Sequence, residues 1–243
     1  MKRTYGYEAW VNHNKYYKLK LLSSLPPKLV DKFLLLLNSG LEAKATMILS
    51  KKLFNLFNLP HNIIKKYTNT ELIKISSLES IISLSQITLI LEYVDLQSIT
   101  KHNIVDLYKY VSNIDKFKKG EVPISWGPGN NGCSHLNAVE HYKKHAKYNQ
   151  NNIGTIYETE YLEWEKIIED GELYSDYPIT HFYKMRDVIV HTNGRGVYLS
   201  GFYGCVFIVG RYNGDTFGIS SCYYVKSGRK LGREINKVFD IEL

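Results

Sequence analysis

The sequence predicts an α+β protein made of two parts. Up to about Lys118 the apolar residues recur at helical spacing, whereas beyond Gly120 short β-branched and aromatic runs alternate with Gly and Asn turns. Helices first and a meander of strands afterwards is the order of an α+β chain, not of alternating βαβ units. The expected division is a basic helical domain over 1–118, a linker over 119–134, and a domain over 135–243 in which two helices pack on an antiparallel sheet.

Each element has a local cause. Ser23-Ser24-Leu25-Pro26-Pro27 opens the first helix, with Ser near the N-cap and Pro in the first turn, and Asn38-Ser39-Gly40 closes it. A second helix is expected from Leu41 to Phe57, ended by Leu59-Pro60. A third runs from about Ile63 through Tyr67, and Thr70 reads as the cap of a fourth around Glu71. Two or three more fit between Leu78 and Lys118, one of them containing Asp106 to Val111. The stretch around Trp126-Gly127-Pro128-Gly129 is dense in turn formers and reads as the linker. His135 to about Asn149 and Glu160 to about Glu169 read as the two helices of the second domain. The strands follow: Asp187 to His191, a turn at Asn193-Gly194, Gly196 to Ser200, Cys205 to Val209, a turn at Asn213-Gly214, and Thr216 to Val225.

Composition removes several classes. Of the 243 residues 44% are hydrophobic and 23% charged, a globular balance that excludes disordered and collagen-like chains. The longest apolar run, Phe33 to Leu37, is too short to cross a bilayer, so no membrane partner is expected. Met1 leads into a polar segment and not into an apolar secretory core, so the expected location is cytoplasmic, whether the chain stays where it is made or is delivered to a target cytosol. Cys133, Cys205 and Cys222 cannot all pair within the chain and lack the close spacing of a zinc set; no disulfide framework, metal or cofactor is expected.

Charge is unevenly placed. Residues 1–118 hold 17 Lys and Arg against 9 Asp and Glu, net +8; residues 119–243 hold 14 against 15, net −1, and the two give the chain's +7. A helical half of this sign suits a polyanion gripped through its phosphates. A solvated lysine-rich surface is the alternative.

The candidate chemistry begins on the helix after the linker. His141 and His145 are four apart and share a face, with Lys143 and Lys144 between them. The HExxH pattern is absent, because Tyr142-Lys143 follows His141, and cationic neighbours oppose a divalent ion. A histidine that titrates near neutrality exchanges protons, and adjacent cations stabilise a developing phosphorane, which is what phosphodiester cleavage requires. The strands add Arg195 in the Asn193-Gly194-Arg195-Gly196 turn, Ser200, and Arg211 beside Tyr212. Ser200 has no GxSxG elbow, and neither a P-loop nor a GxGxxG followed by a helix is expected, which lowers nucleotide-driven and dinucleotide-dependent chemistry.

From about Ser134 onward the chain resembles the colicin D-like nuclease domains of bacteriocins and contact-dependent inhibition toxins, of the barnase-EndoU-colicin-RelE type. The likeness rests on Tyr142-Lys143-Lys144-His145-Ala146, on Tyr161-Leu162-Glu163-Trp164-Glu165-Lys166, and on Val188-Ile189-Val190, Asn193-Gly194 and Leu199-Ser200-Gly201-Phe202. It implies a catalytic His145 with Lys143 and Lys144 beside it, and a strand hydroxyl and aromatic at Ser200 and Phe202, where Phe replaces the family's Trp. A second register, through Arg211 and Phe217-Gly218-Ile219, makes Arg211 and Ser220 or Ser221 the strand contributors instead.

The function expected is a metal-independent endoribonuclease used as a toxin, acting on RNA of the tRNA class and leaving 2′,3′-cyclic phosphate ends, with a cognate immunity protein as a further partner. His145 or His141 would take the 2′-hydroxyl proton, Lys144, Arg195 or Arg211 would hold the phosphate, and Tyr198, Phe202 and Tyr212 would stack on a splayed base. Two alternatives stand beside it. One is a non-enzymatic immunity or host-interaction protein. The other is an ADP-ribosyltransferase, because Gly194-Arg195-Gly196-Val197-Tyr198-Leu199-Ser200 resembles the Gly-x-Gly-x-Tyr-Phe stretch that lines the nicotinamide pocket of poly(ADP-ribose) polymerase-like folds.

Overall fold

The computed structural model describes residues 20, 22, 23, 25–129, 132, 134–145, 181–204 and 206–224. The expected helix over Glu160 to Glu169 lies outside them. The chain is α+β, as the order of elements predicts, and divides into one unit of Met1–Glu92 with Ile99–Val105 and another of Tyr93–Ser98 with Asp106–Leu243.

The first unit is helical. A 3₁₀ turn over Pro27–Leu29 runs into α1 (Val30–Asn38), whose Phe33, Leu36 and Leu37 are buried at i, i+3 and i+4. Gly40, at φ +73°, ends it. The second expected helix is shorter than its apolar pattern suggests: α2 is Glu42–Ser50, Lys52 turns left-handed at φ +56°, and the chain resumes as a 3₁₀ segment over Phe54–Asn58. That break lets Phe57 meet Phe33 edge-on, with ring centroids 6.1 Å apart. Next come α3 (His61–Lys66) and α4 (Asn69–Leu78). The cap of α4 is Thr68 rather than Thr70: its side chain accepts from the Glu71 N–H while the Glu71 carboxylate accepts from the Thr68 N–H, a reciprocal box that only residues three apart can close. Leu72, Ile75 and Leu78 face the core, joined by Ile87 and Ile90 of α5 (Leu84–Tyr93).

The second unit holds the sheet. Its helices are α6 (Ile104–Val111, from Asp106 onward), α7 (Ile114–Lys119) and α8 (Ser134–His145); its strands are β1 (Pro123–Trp126), β2 (His181–Phe182), β3 (Arg186–Asn193), β4 (Gly196–Tyr203), β5 (Val206–Tyr212) and β6 (Phe217–Tyr224). The spatial order is β2-β1-β6-β5-β4-β3. β3 to β6 form the expected antiparallel meander, joined at the Asn193-Gly194 and Asn213-Gly214 turns.

Two expectations are corrected here. The stretch 119–134 is not a linker: Pro123–Trp126 lies within the sheet and pairs in parallel with β6, so the sheet is mixed, not purely antiparallel. The helical part also ends earlier than Lys118. Phe117 of α7 packs edge-on against Tyr212 and Phe217, at 5.1 and 5.5 Å between centroids, which makes α7 a cover of the sheet and not the last helix of a separate domain. Among the described residues no helix is long and apolar enough to cross a membrane.

Candidate functional site

A cleft of about 1310 Å³ lies within the second unit. Its walls come from the loop after β1, the face of α8 that carries Asn137, Glu140 and His141, the sheet around Arg195, Tyr198 and Arg211, and Asp106 and Tyr110 of α6.

The loop and helix are fixed by backbone contacts. Gly127 donates to the Ile219 carbonyl at 2.8 Å, and the two backbones run so close beside each other that a Cβ placed on Gly218 would stand a tight 3.2 Å from Gly127 Cα. Asn137 is 5% exposed; its Nδ2 donates to the carbonyls of Gly127 (2.9 Å) and Ile219 (3.3 Å) and so ties α8 to both β1 and β6. A buried amide satisfied in this way holds the helix in register against the sheet. Gly129, at φ +57°, leaves the space that this amide fills.

On α8, one turn beyond Asn137, His141 lies half-buried with its ring stacked on the Trp126 indole, centroids 5.6 Å apart and planes at 29°. Its Nδ1 is 3.5 Å from Ser221 Oγ. The pairing of β5 with β6 shifts between Val209 and Gly210, so that β6 advances two residues against one. An extra residue of this kind re-aims the side chains beside it; here Ser220 lines the cleft and Ser221 meets His141.

The sheet supplies a transverse row of neighbours. His191 is paired with Tyr198, Arg211 with Gly218, and Gly218 with Ser125; continuing the β4–β5 register one step beyond Leu199↔Gly210 sets Tyr198 beside Arg211. Arg211 Nη2 donates to the Tyr198 hydroxyl at 2.7 Å and to the Arg195 carbonyl at 2.8 Å, and its guanidinium lies 4.8 Å over the Tyr198 ring. Tyr198 in turn stacks on His191, 5.9 Å and 13°. Burial pushes the His191 imidazole down to about 4, so the ring is neutral at pH 7. At the same end of the ladder the Tyr110 hydroxyl accepts from the Tyr212 N–H and donates to the Val197 carbonyl. Desolvation pushes that phenol up to about 12, against the opposing pull of the Tyr212 N–H.

The sequence candidates therefore separate. His141, Arg195, Arg211, Tyr198 and Tyr212 line one cleft. Tyr212 does so as a wall: it is 4% exposed, its ring packs on Tyr110 and Phe117, and its hydroxyl donates to the Gly214 carbonyl. Ser200 and Phe202 are not lining residues. Ser200 is fully buried on β4, and Phe202, near the end of that strand, is buried against Phe207 with the Arg186 guanidinium over its ring. Lys143, Lys144 and His145 stand on the last turn of α8, and their side chains lie outside the described residues. Among the described residues no three His, Cys, Asp or Glu gather closely enough to hold a metal ion.

Among the members of the cleft wall that sequence reasoning missed are Trp126, Asn137, Glu140 and Tyr110. A signal was present. Gly127-Pro128-Gly129-Asn130-Asn131-Gly132 has the G-x-G-x-x-G spacing, and it follows β1 and precedes α8; reading the segment as a linker hid it. No family model, no curated protein and no solved structure matches the chain.

Proposed function

We propose that the second unit is a metal-independent endoribonuclease of the colicin D-like kind, acting on tRNA as a toxin. The observation that carries the reading is a single cleft lined by one half-buried imidazole and two guanidinium groups, His141 with Arg195 and Arg211. His141 exchanges the proton of the ribose 2′-hydroxyl or of the leaving 5′-oxygen. Arg211, already oriented by Tyr198 and the Arg195 carbonyl, binds the scissile phosphate through its remaining N–H donors. Attack of the 2′-oxygen on phosphorus breaks the bond to the 5′-oxygen and leaves a 2′,3′-cyclic phosphate and a 5′-hydroxyl. Of the two strand registers considered above, the placement of Arg211, Ser220 and Ser221 favours the second. The test is incubation of the purified protein with total tRNA in EDTA. Discrete fragments ending in 2′,3′-cyclic phosphate are expected; intact tRNA, or cleavage only on addition of a metal, would remove the reading.

One arrangement favours a second reading. Gly196, Val197 and Tyr198 line the same cleft as the Gly127-Pro128-Gly129 loop, so a dinucleotide whose pyrophosphate meets the arginines also fits, as an ADP-ribosyltransferase would require. A rise in melting temperature with NAD, absent with RNA, would favour it over the first.

A further inference from the structure

We infer that Trp126 is a positioning residue for His141: it holds the imidazole by its face and favours the protonated form of that ring. The inference rests on His141 being the acid/base group proposed above, but its observable does not depend on cleavage.

Trp126 ends β1, and its strand is pinned twice, by parallel pairing with Ile219 and by the Gly127 N–H on the Ile219 carbonyl. The indole is 6% exposed, so it is a rigid platform and not a swinging side chain. An imidazole stacked 5.6 Å above it at 29° cannot rotate about χ2 without losing that contact. With Nδ1 turned toward Ser221, the ring keeps Nε2 as its other polar edge. The negative face of an indole attracts a cation, so the stack stabilises imidazolium relative to imidazole.

Among the described residues, α8 makes its main contacts with β1 and β6. β1 contributes Ser125 and Trp126 to the cleft, and β6 contributes Gly218 and Ser220, with Ser221 at Nδ1; none of these is charged. The charged groups of the cleft are Glu140 on α8 itself, Asp106 on α6, and Arg195 and Arg211 from the sheet. Arg195 and Arg211 oppose protonation of His141 and Glu140 and Asp106 favour it, while Trp126 is the neighbour stacked on the ring itself.

The experiment is imidazole NMR titration of the full chain, with the His141 resonance assigned from H141N, in wild type, Trp126→Phe and Trp126→Leu. Trp126→Phe keeps an aromatic face, and its His141 midpoint is expected to stay near wild type. Trp126→Leu is expected to lower the midpoint by about half a pH unit, the size of one partly exposed cation–π contact. An unchanged midpoint in Trp126→Leu overturns the inference. Because the indole is buried, a second measurement uses the wild-type chain: Trp126 fluorescence, isolated by difference against Trp126→Phe, is expected to fall with the His141 midpoint as the ring protonates. A flat emission across that midpoint equally overturns it. Failure of tRNA cleavage with these shifts intact would remove the nuclease reading and leave the positioning role standing.

Discussion

The Tyr198 hydroxyl accepts a hydrogen bond from Arg211 Nη2 at 2.7 Å while the Arg211 guanidinium lies over the Tyr198 ring, so one tyrosine fixes both the plane and the direction of this cation of the cleft. A planar fork held in this way presents its other donors to a phosphate with little further ordering. Arg211→Lys keeps the charge and loses the fork. Single-turnover cleavage of tRNA by Arg211→Lys is expected to fall about 10²-fold, the scale of losing one oriented transition-state donor. Tyr198→Phe keeps the ring under the guanidinium and is expected to cost roughly tenfold. Equal activity of Arg211→Lys and wild type would show that only charge is needed at this position.

His141→Asn tests the proton transfer itself. Asparagine keeps a polar group in place of the ring and can still accept from or donate to Ser221, but it cannot titrate. A loss of about 10²- to 10⁴-fold in the rate of cleavage is expected, with the melting temperature within a few degrees of wild type. Retention of most activity would pass the role to another group on α8.

Tyr110→Phe tests the wedge that shapes the end of the β4–β5 ladder. Removing the hydroxyl leaves the Tyr212 N–H and the Val197 carbonyl without the partner they share. A urea-unfolding loss of about 1–3 kcal/mol is expected at pH 7. The wild-type phenol adds an alkaline limb: its folded value is raised to about 12 from an ordinary 10, so its contribution is full below pH 10 and is lost as the pH climbs through 12. In Tyr110→Phe that limb is expected to vanish from the pH dependence of the urea midpoint.

How much of this was legible in the sequence depends on the range of the interaction. The meander was readable because its turns carry Asn-Gly at both ends and its strands are β-branched, signals complete within a few residues. Arg195 is legible for the same reason, since it lies in one of those turns, whereas Arg211 and Tyr198 stand out by residue type, a cation and an aromatic on neighbouring strands. The parallel strand was not. Pro123–Trp126 is four residues long, begins with proline and owes its strand state to β6, some ninety positions away in sequence. Taking it for a linker also concealed Trp126 and Asn137, whose roles exist only once β1, β6 and α8 meet. Ser200 failed in the opposite direction. A hydroxyl beside Gly201 looks accessible in one dimension, and only the pairing of β4 with both β3 and β5 shows that it is interior.

His191 is expected to contribute to the acid sensitivity of the second unit. Its ring is neutral and stacked on Tyr198, and burial lowers its folded value to about 4 from an ordinary 6.5. A depressed value in the folded state means that the unfolded chain takes up the proton first. Stability from this group is therefore complete above pH 6.5 and drains away as the pH falls toward 4, by on the order of 1–3 kcal/mol in all. His191→Phe preserves an aromatic partner for Tyr198 and removes the titration. Urea midpoints at pH 7.0 and 4.5 are expected to differ less in the variant than in wild type, with the gap between the two differences equal to the His191 contribution. Because Tyr198 also orients Arg211, any phosphate affinity of the folded cleft is expected to weaken only as the pH nears 4, where His191 itself protonates, and that loss is expected to be absent in His191→Phe. Parallel slopes in the two proteins would assign the acid sensitivity to other groups.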